Sequence, residues 1–111
     1  PSRSRWASID TEEKESLLNQ HASRVWENYC RDLYPGSGRY WENQIEIDLV
    51  VERPEKKRFL VAECKWGKVS EYQEQQLLAD LKKRFLQTEL SRKLENVEFS
   101  VLTRRNLGNI T

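Results

Sequence analysis

The stretch "FLVAECKWGK", Phe59–Lys68, decides how this chain is read, because it starts as a buried strand and then breaks its own pattern. Phe59 to Ala62 are apolar, Glu63 and Lys65 flank a single Cys, and Trp66-Gly67 closes the run. Residues two apart share a strand face, so Glu63 and Lys65 lie side by side. Upstream, "IEIDLVVER", Ile45–Arg53, alternates with period two: Ile45, Ile47, Leu49 and Val51 take one face, Glu46 and Asp48 the other. The charged "RPEKK" between the two runs is short enough for a hairpin. With Glu52 opposite Phe59, Val50 opposes Val61, Asp48 opposes Glu63 and Glu46 opposes Lys65. Four charges then gather at one end of one face. A slip of one residue sends one strand's charges to the other face, and sets Ile47 and Leu49 level with the remaining charges, against the apolar pattern.

Outward from this hairpin the punctuation is clear. "IDTEEKESLLNQHASRVWENYCRDLYPGSG" reads as one long helix, capped by Asp10 with Glu13 three residues on, and stopped by Pro35, Gly36 and Gly38. Leu18, Ala22, Val25, Tyr29 and Leu33 recur at helical spacing and form its expected apolar stripe. "RYW", before Glu42, reads as a short strand of its own. "SEYQEQQLLADLKKRFLQTELSRKL" reads as a second helix, with a Ser70–Gln73 capping box and Leu78, Leu81 and Phe85 on one face. "NVEFSVLT" is a last strand, with Val97, Phe99 and Val101 on one side. The predicted order is helix, two or three strands, helix, strand, in one domain over 1–111, with a lead-in over 1–8 and a tail over 104–111. The chain opens at Pro1 and holds no Met, which reads as a domain cut from a longer protein.

Composition narrows the function classes without choosing one. A third of the residues are charged, yet the net charge is +1, so bulk charge gives no pull towards nucleic acid or membrane. Two cysteines, Cys30 and Cys64, and one histidine, His21, give poor support to a zinc site or a disulfide framework. No apolar run is long enough for a membrane span and no signal peptide is evident, so a cytoplasmic protein is the expectation. His21 reads as a structural or surface histidine.

The charged cluster has two readings. Asp48 and Glu63 on adjacent strands lie within reach of one hard cation, and Mg²⁺ takes one or two carboxylates with substrate phosphate and water completing its shell. A nearby Lys65 orients or deprotonates the attacking water, or offsets charge on a phosphate. In the other reading, Glu and Lys on an exposed sheet face form solvated cross-strand pairs worth about 0.2–1 kcal/mol. Glu-x-Lys alone favours the second. The combination of "EID" and "ECK" inside apolar runs, between two helices, favours the first. Lys82, Lys83, Arg84, Arg104 and Arg105 read as a solvated surface rather than phosphate contacts. Trp41 and Trp66 read as core lids or a partner interface, with base stacking as the rival.

"IEIDLVV" and "AECKW" resemble the second and third motifs of the PD-(D/E)XK nuclease superfamily. The likeness in element order runs from about Ser8 to Thr103. More narrowly, "RVWENYC", "GRYW", "EIDLVV" and "AECKW" are similar to C-terminal domains of archaeal and bacterial P-loop ATPases. The resemblance implies an α/β, restriction-endonuclease-like fold, α-β-β-β-α-β, with a mixed sheet flanked by helices. It implies Asp48 and Glu63 as ligands of Mg²⁺ or Mn²⁺, with the Cys64 backbone carbonyl as a third ligand, and Lys65 as the catalytic lysine. Glu27, in "WEN", matches an acidic residue of the first helix, and Gln73 or Gln75 a polar residue of the second. DNA and an attached or associated ATPase are the implied partners, and a homodimer stays open. Ile47 replaces the superfamily's Pro. By periodicity Glu27 projects away from the apolar stripe; it faces the site only if Trp26 and Cys30 turn inward. Glu46 either quenches Lys65 or joins the metal. A non-cleaving module that binds DNA or a partner is the alternative function.

Overall fold

The structure, a computed structural model, describes residues 10–105. Helix α1 spans Thr11–Leu33, followed by β1 (Gly38–Glu42), β2 (Ile45–Arg53), a 3-10 turn (Pro54–Lys56), β3 (Arg58–Cys64), α2 (Glu71–Leu86), a short α3 (Leu90–Lys93) and β4 (Val97–Leu102). The four strands form one mixed sheet in the order β1-β2-β3-β4; β1, β2 and β3 pair antiparallel, and β3 and β4 parallel. This is the expected order of elements and the expected class, a mixed α/β sheet flanked by helices. The lead-in over 1–8 lies outside the described residues, as does the tail beyond Arg105.

Each sheet face has its own core. Trp26 and Cys30 of α1 pack on Leu49, Val51, Leu60, Ala62, Cys64 and Leu102. On the opposite face Leu81 and Phe85 of α2 pack on Ile47 and Val61, with Phe99 and Val97 against them. Val61 and Ala62 are both fully buried, which explains the unbroken apolar run before Glu63: β3 is covered on both sides.

The α1 stripe is corrected. Leu18, Val25, Tyr29 and Leu33 are exposed, whereas Trp26 and Cys30, one turn apart, are the buried pair. The Trp26 indole N–H donates to the Leu102 carbonyl at 3.1 Å, satisfying the polar edge that a buried Trp must pair. Only the last turns of α1 lie on the sheet, so the apolar count along the whole helix misleads. The Asp10 cap is present, its carboxylate accepting from the Glu13 N–H. The second helix is shorter than expected. It ends at Leu86, and the Thr88 hydroxyl, bonded to the Phe85 carbonyl, separates it from α3. Its Ser70–Gln73 capping box forms in both directions. Among the described residues no helix is long and apolar enough to cross a membrane.

Candidate functional site

The hairpin register is the expected one through Glu52↔Phe59, Val50↔Val61 and Leu49↔Ala62, and there the β2–β3 ladder stops. Asp48 and Glu46 therefore do not form backbone pairs with Glu63 and Lys65. The cause lies on the other side of β2. Its pairing with β1 slips between Gly38↔Val50 and Tyr40↔Ile47, so β2 carries one residue more than its partner across that interval. This is a bulge, and bulges re-aim side chains and end pairing. It accounts for Ile47 joining the α2-side core while Leu49 joins the α1-side core. Strict alternation put Ile47 and Leu49 on one face; the bulge separates them.

Past the last pair, the Cys64 N–H needs an acceptor, because a buried backbone donor left unpaired is costly. Asp48 supplies it: Oδ2 accepts from Cys64 N at 2.9 Å. The bulged residue thus places its carboxylate beside the β3 end, next to Glu63. The Asp48 backbone is held as well, its carbonyl accepting from Arg31 Nη1 of α1 at 3.3 Å.

The Glu63 side chain is 14 % exposed. Burial pushes its carboxyl above the usual range, Asp48 adds to the rise, and Arg84 and Lys65 offset part of it. Arg84 Nη2 lies 3.1 Å from Glu63 Oε2, off the line of a hydrogen bond, so Oε2 is a buried oxygen with an ionic neighbour and no aligned donor. Lys65 is half-buried and its N–H donates to the Leu102 carbonyl. Among the described residues no carboxylate comes within 4.0 Å of its ammonium. Glu46 pairs with Arg39 at 3.1 Å instead.

Glu27 is half-buried, and burial followed by the Asp48 charge raises its carboxyl above the usual range. It faces the Asp48 side of the sheet because Trp26 and Cys30 turn inward. Cys64 points its thiol into the α1-side core, where a hydrogen bond with the Cys30 thiol, together with burial, pushes it above its ordinary range. Both cysteines are free. Gln73 is spent on the α2 cap, and Gln75 is exposed. His21 is exposed, and Trp41, 68 % exposed, is no core lid.

Arg84 is the residue the sequence missed. Read as part of a solvated "LKKRF", it is partly buried, donates to Asp80 at 2.8 Å and to the Glu46 carbonyl at 2.7 Å, and has Glu63 as an ionic neighbour. The only signal was its spacing, one residue before buried Phe85 and three after buried Leu81.

Among the described residues no three His, Cys, Asp or Glu side chains converge on one point as a metal cluster would. The donor set here is smaller and harder: two carboxylates, Asp48 and Glu63, beside the Cys64 backbone. The buried Glu63 Oε2 has no aligned donor, and Asp48 engages the Cys64 N–H through Oδ2. Such a set suits an oxygen-seeking divalent cation that keeps waters, and not zinc.

Residues 4–78 match the family DUF234, described as archaeal and bacterial proteins of unknown function. The chain belongs to this family. The matched part of this DUF234 chain runs through β3 into α2 and includes Glu27, Asp48, Glu63 and Lys65, while Arg84 and β4 lie beyond it. Comparison with curated proteins returned no match, nor did comparison with solved structures.

Proposed function

We propose that this domain hydrolyses DNA phosphodiester bonds with a divalent cation, Mg²⁺ or Mn²⁺. The observation that carries the reading is the Asp48 carboxylate fastened to the Cys64 N–H, which brings it beside a buried Glu63 oxygen that has no aligned donor. Asp48, Glu63 and the Cys64 carbonyl would hold the ion. Such an ion supplies Lewis-acid activation of water and charge neutralisation on the phosphate.

The chain's own residues do the rest. Lys65, with no carboxylate within ion-pair reach among the described residues, would orient the attacking water or take its proton. Glu27, whose carboxyl is raised by burial and by the Asp48 charge, would add a further carboxylate on the Asp48 side of the ion. DNA as substrate, an attached or associated ATPase and a cytoplasmic setting belong to the same reading, supported by the motif resemblance in "EIDLVV" and "AECKW".

One observation favours the non-cleaving module instead: the Arg84 guanidinium already neutralises Glu63. Cleavage of plasmid and branched DNA with Mn²⁺ or Mg²⁺ separates the two readings. The hydrolase reading expects nicking by the wild type that Asp48→Ala and Lys65→Ala abolish. Binding without nicking in all three proteins supports the module.

A further inference from the structure

The parallel strands β3 and β4 end together, Cys64 level with Leu102, and Lys65 N–H closes the ladder on the Leu102 carbonyl at 3.0 Å. Two segments leave this edge side by side: Trp66-Gly67-Lys68 after β3 and, past the buried Thr103, the exposed Arg104-Arg105 after β4. Between them lies a cleft of about 410 Å³ lined by Gly67, Lys68, Val69, Thr103, Arg104 and Arg105. Three of the six lining residues are cations and none is acidic. The carboxyl ends of parallel strands are where α/β sheets present ligand sites.

The aromatic at its edge is braced from behind. Trp66 lies 5.9 Å from the Trp26 ring, which is itself stacked on Tyr29 at 5.5 Å and fixed by its bond to Leu102. The Arg104 guanidinium sits 4.4 Å from the Trp66 ring centre. Trp66 nevertheless keeps 38 % of its surface exposed. Arg105 is engaged by Glu74 and Glu71. Lys68 and Arg104 have no carboxylate within 4.0 Å among the described residues.

We propose that Trp66 and Arg104 form a stacking platform, with Lys68 as a phosphate contact, for an unpaired stretch of DNA. A guanidinium lying over an indole offers its outer face to the face of a base, and a cation of the same cleft matches the phosphate. Only an unpaired or terminal base has a free face; an internal base pair of a duplex has none. The choice of DNA rests on the hydrolase reading above, while stacking itself needs no hydrolysis.

The test is equilibrium binding of fluorescein-labelled (dT)20 and of a 20-base-pair blunt duplex to the full chain, in EDTA so that nothing is cut. The expected result is single-strand affinity at least about tenfold above duplex affinity. Arg104→Ala and Trp66→Ala should each lower single-strand binding about tenfold, with Lys93→Ala unchanged. Trp66 packs on Trp26, so Trp66→Phe and the exposed Arg104→Ala keep the test open if Trp66→Ala misfolds. Equal affinity for single strand and duplex overturns the platform, as does wild-type binding in Arg104→Ala and Trp66→Phe with Trp66→Ala also unchanged or unfolded. Platform-dependent binding without Mn²⁺ cleavage upholds the platform and sinks the hydrolase reading. Cleavage with platform-independent binding does the reverse.

Discussion

Arg84 joins three elements through one guanidinium, touching Asp80 on α2, the Glu46 carbonyl on β2 and the Glu63 carboxylate on β3. Removing it leaves the Glu63 carboxylate buried with its nearest cation gone. Arg84→Ala should cost about 1–3 kcal/mol of metal-free stability in urea unfolding, because it takes the ionic neighbour from a buried carboxylate and a charged donor from the Glu46 carbonyl. Glu63→Gln should act in the opposite direction near pH 7. The sign follows from the raised Glu63 carboxyl. The folded protein binds that proton more tightly than the unfolded chain. Between the ordinary Glu range and the raised folded value, stability therefore falls as pH rises, and is regained as pH falls. The wild-type minus Glu63→Gln difference in urea midpoint, followed from pH 7 downward, should shrink in the metal-free protein. A difference that stays constant or grows contradicts the burial account. Glu63 and Lys65 were legible in sequence because charges inside an apolar run stand out. Arg84 was not, because a basic residue among "LKKRF" carries no mark of the strand it will meet.

At the scale of elements, the hairpin and the long helix teach opposite lessons. The β2–β3 register was legible because a short charged turn leaves few alternatives and both strands carry their own alternation. The bulge at Asp48 was not, since it arises from how β1 pairs with the far edge of β2, and alternation in β2 alone does not reveal it. It is the bulge that lifts Asp48 out of the ladder and onto the Cys64 N–H. The face of α1 was misread for a related reason. Leu18, Val25, Tyr29 and Leu33 outnumber Trp26 and Cys30, but the sheet meets only the last turns of the helix. Trp26→Ala should therefore cost about 3–5 kcal/mol, as large-to-small changes in a core do. Val25→Ala should stay within about 0.5 kcal/mol, as exposed positions do. Thermal unfolding of the two variants decides it; equal losses would restore the original stripe.

Across the whole molecule, the fold class followed from the order helix, strands, helix, strand, and the sheet places the chain's distinctive charges at one end. Two strands running parallel there deliver Glu63 and Lys65 from β3, the bulge delivers Asp48, and α1 and α2 close the flanks with Glu27 and Arg84. A cation held by this set stabilises only the folded state, by about 2.7 kcal/mol at a hundredfold excess over its dissociation constant. Mn²⁺ should raise the melting temperature of the wild type, and Asp48→Ala should remove the rise. No shift in the wild type speaks for Arg84 as the permanent partner of Glu63.

Asp48, Glu63 and Lys65 are proposed as a hydrolytic centre for phosphodiesters. Single-turnover nicking of supercoiled DNA in Mn²⁺ tests it most directly. Measurable nicking by the wild type is expected, with a loss of about 10²–10⁴ in Lys65→Ala, where the proton-transfer group is gone, and background rates in Asp48→Ala. Identical rates in the wild type and both variants would contradict it.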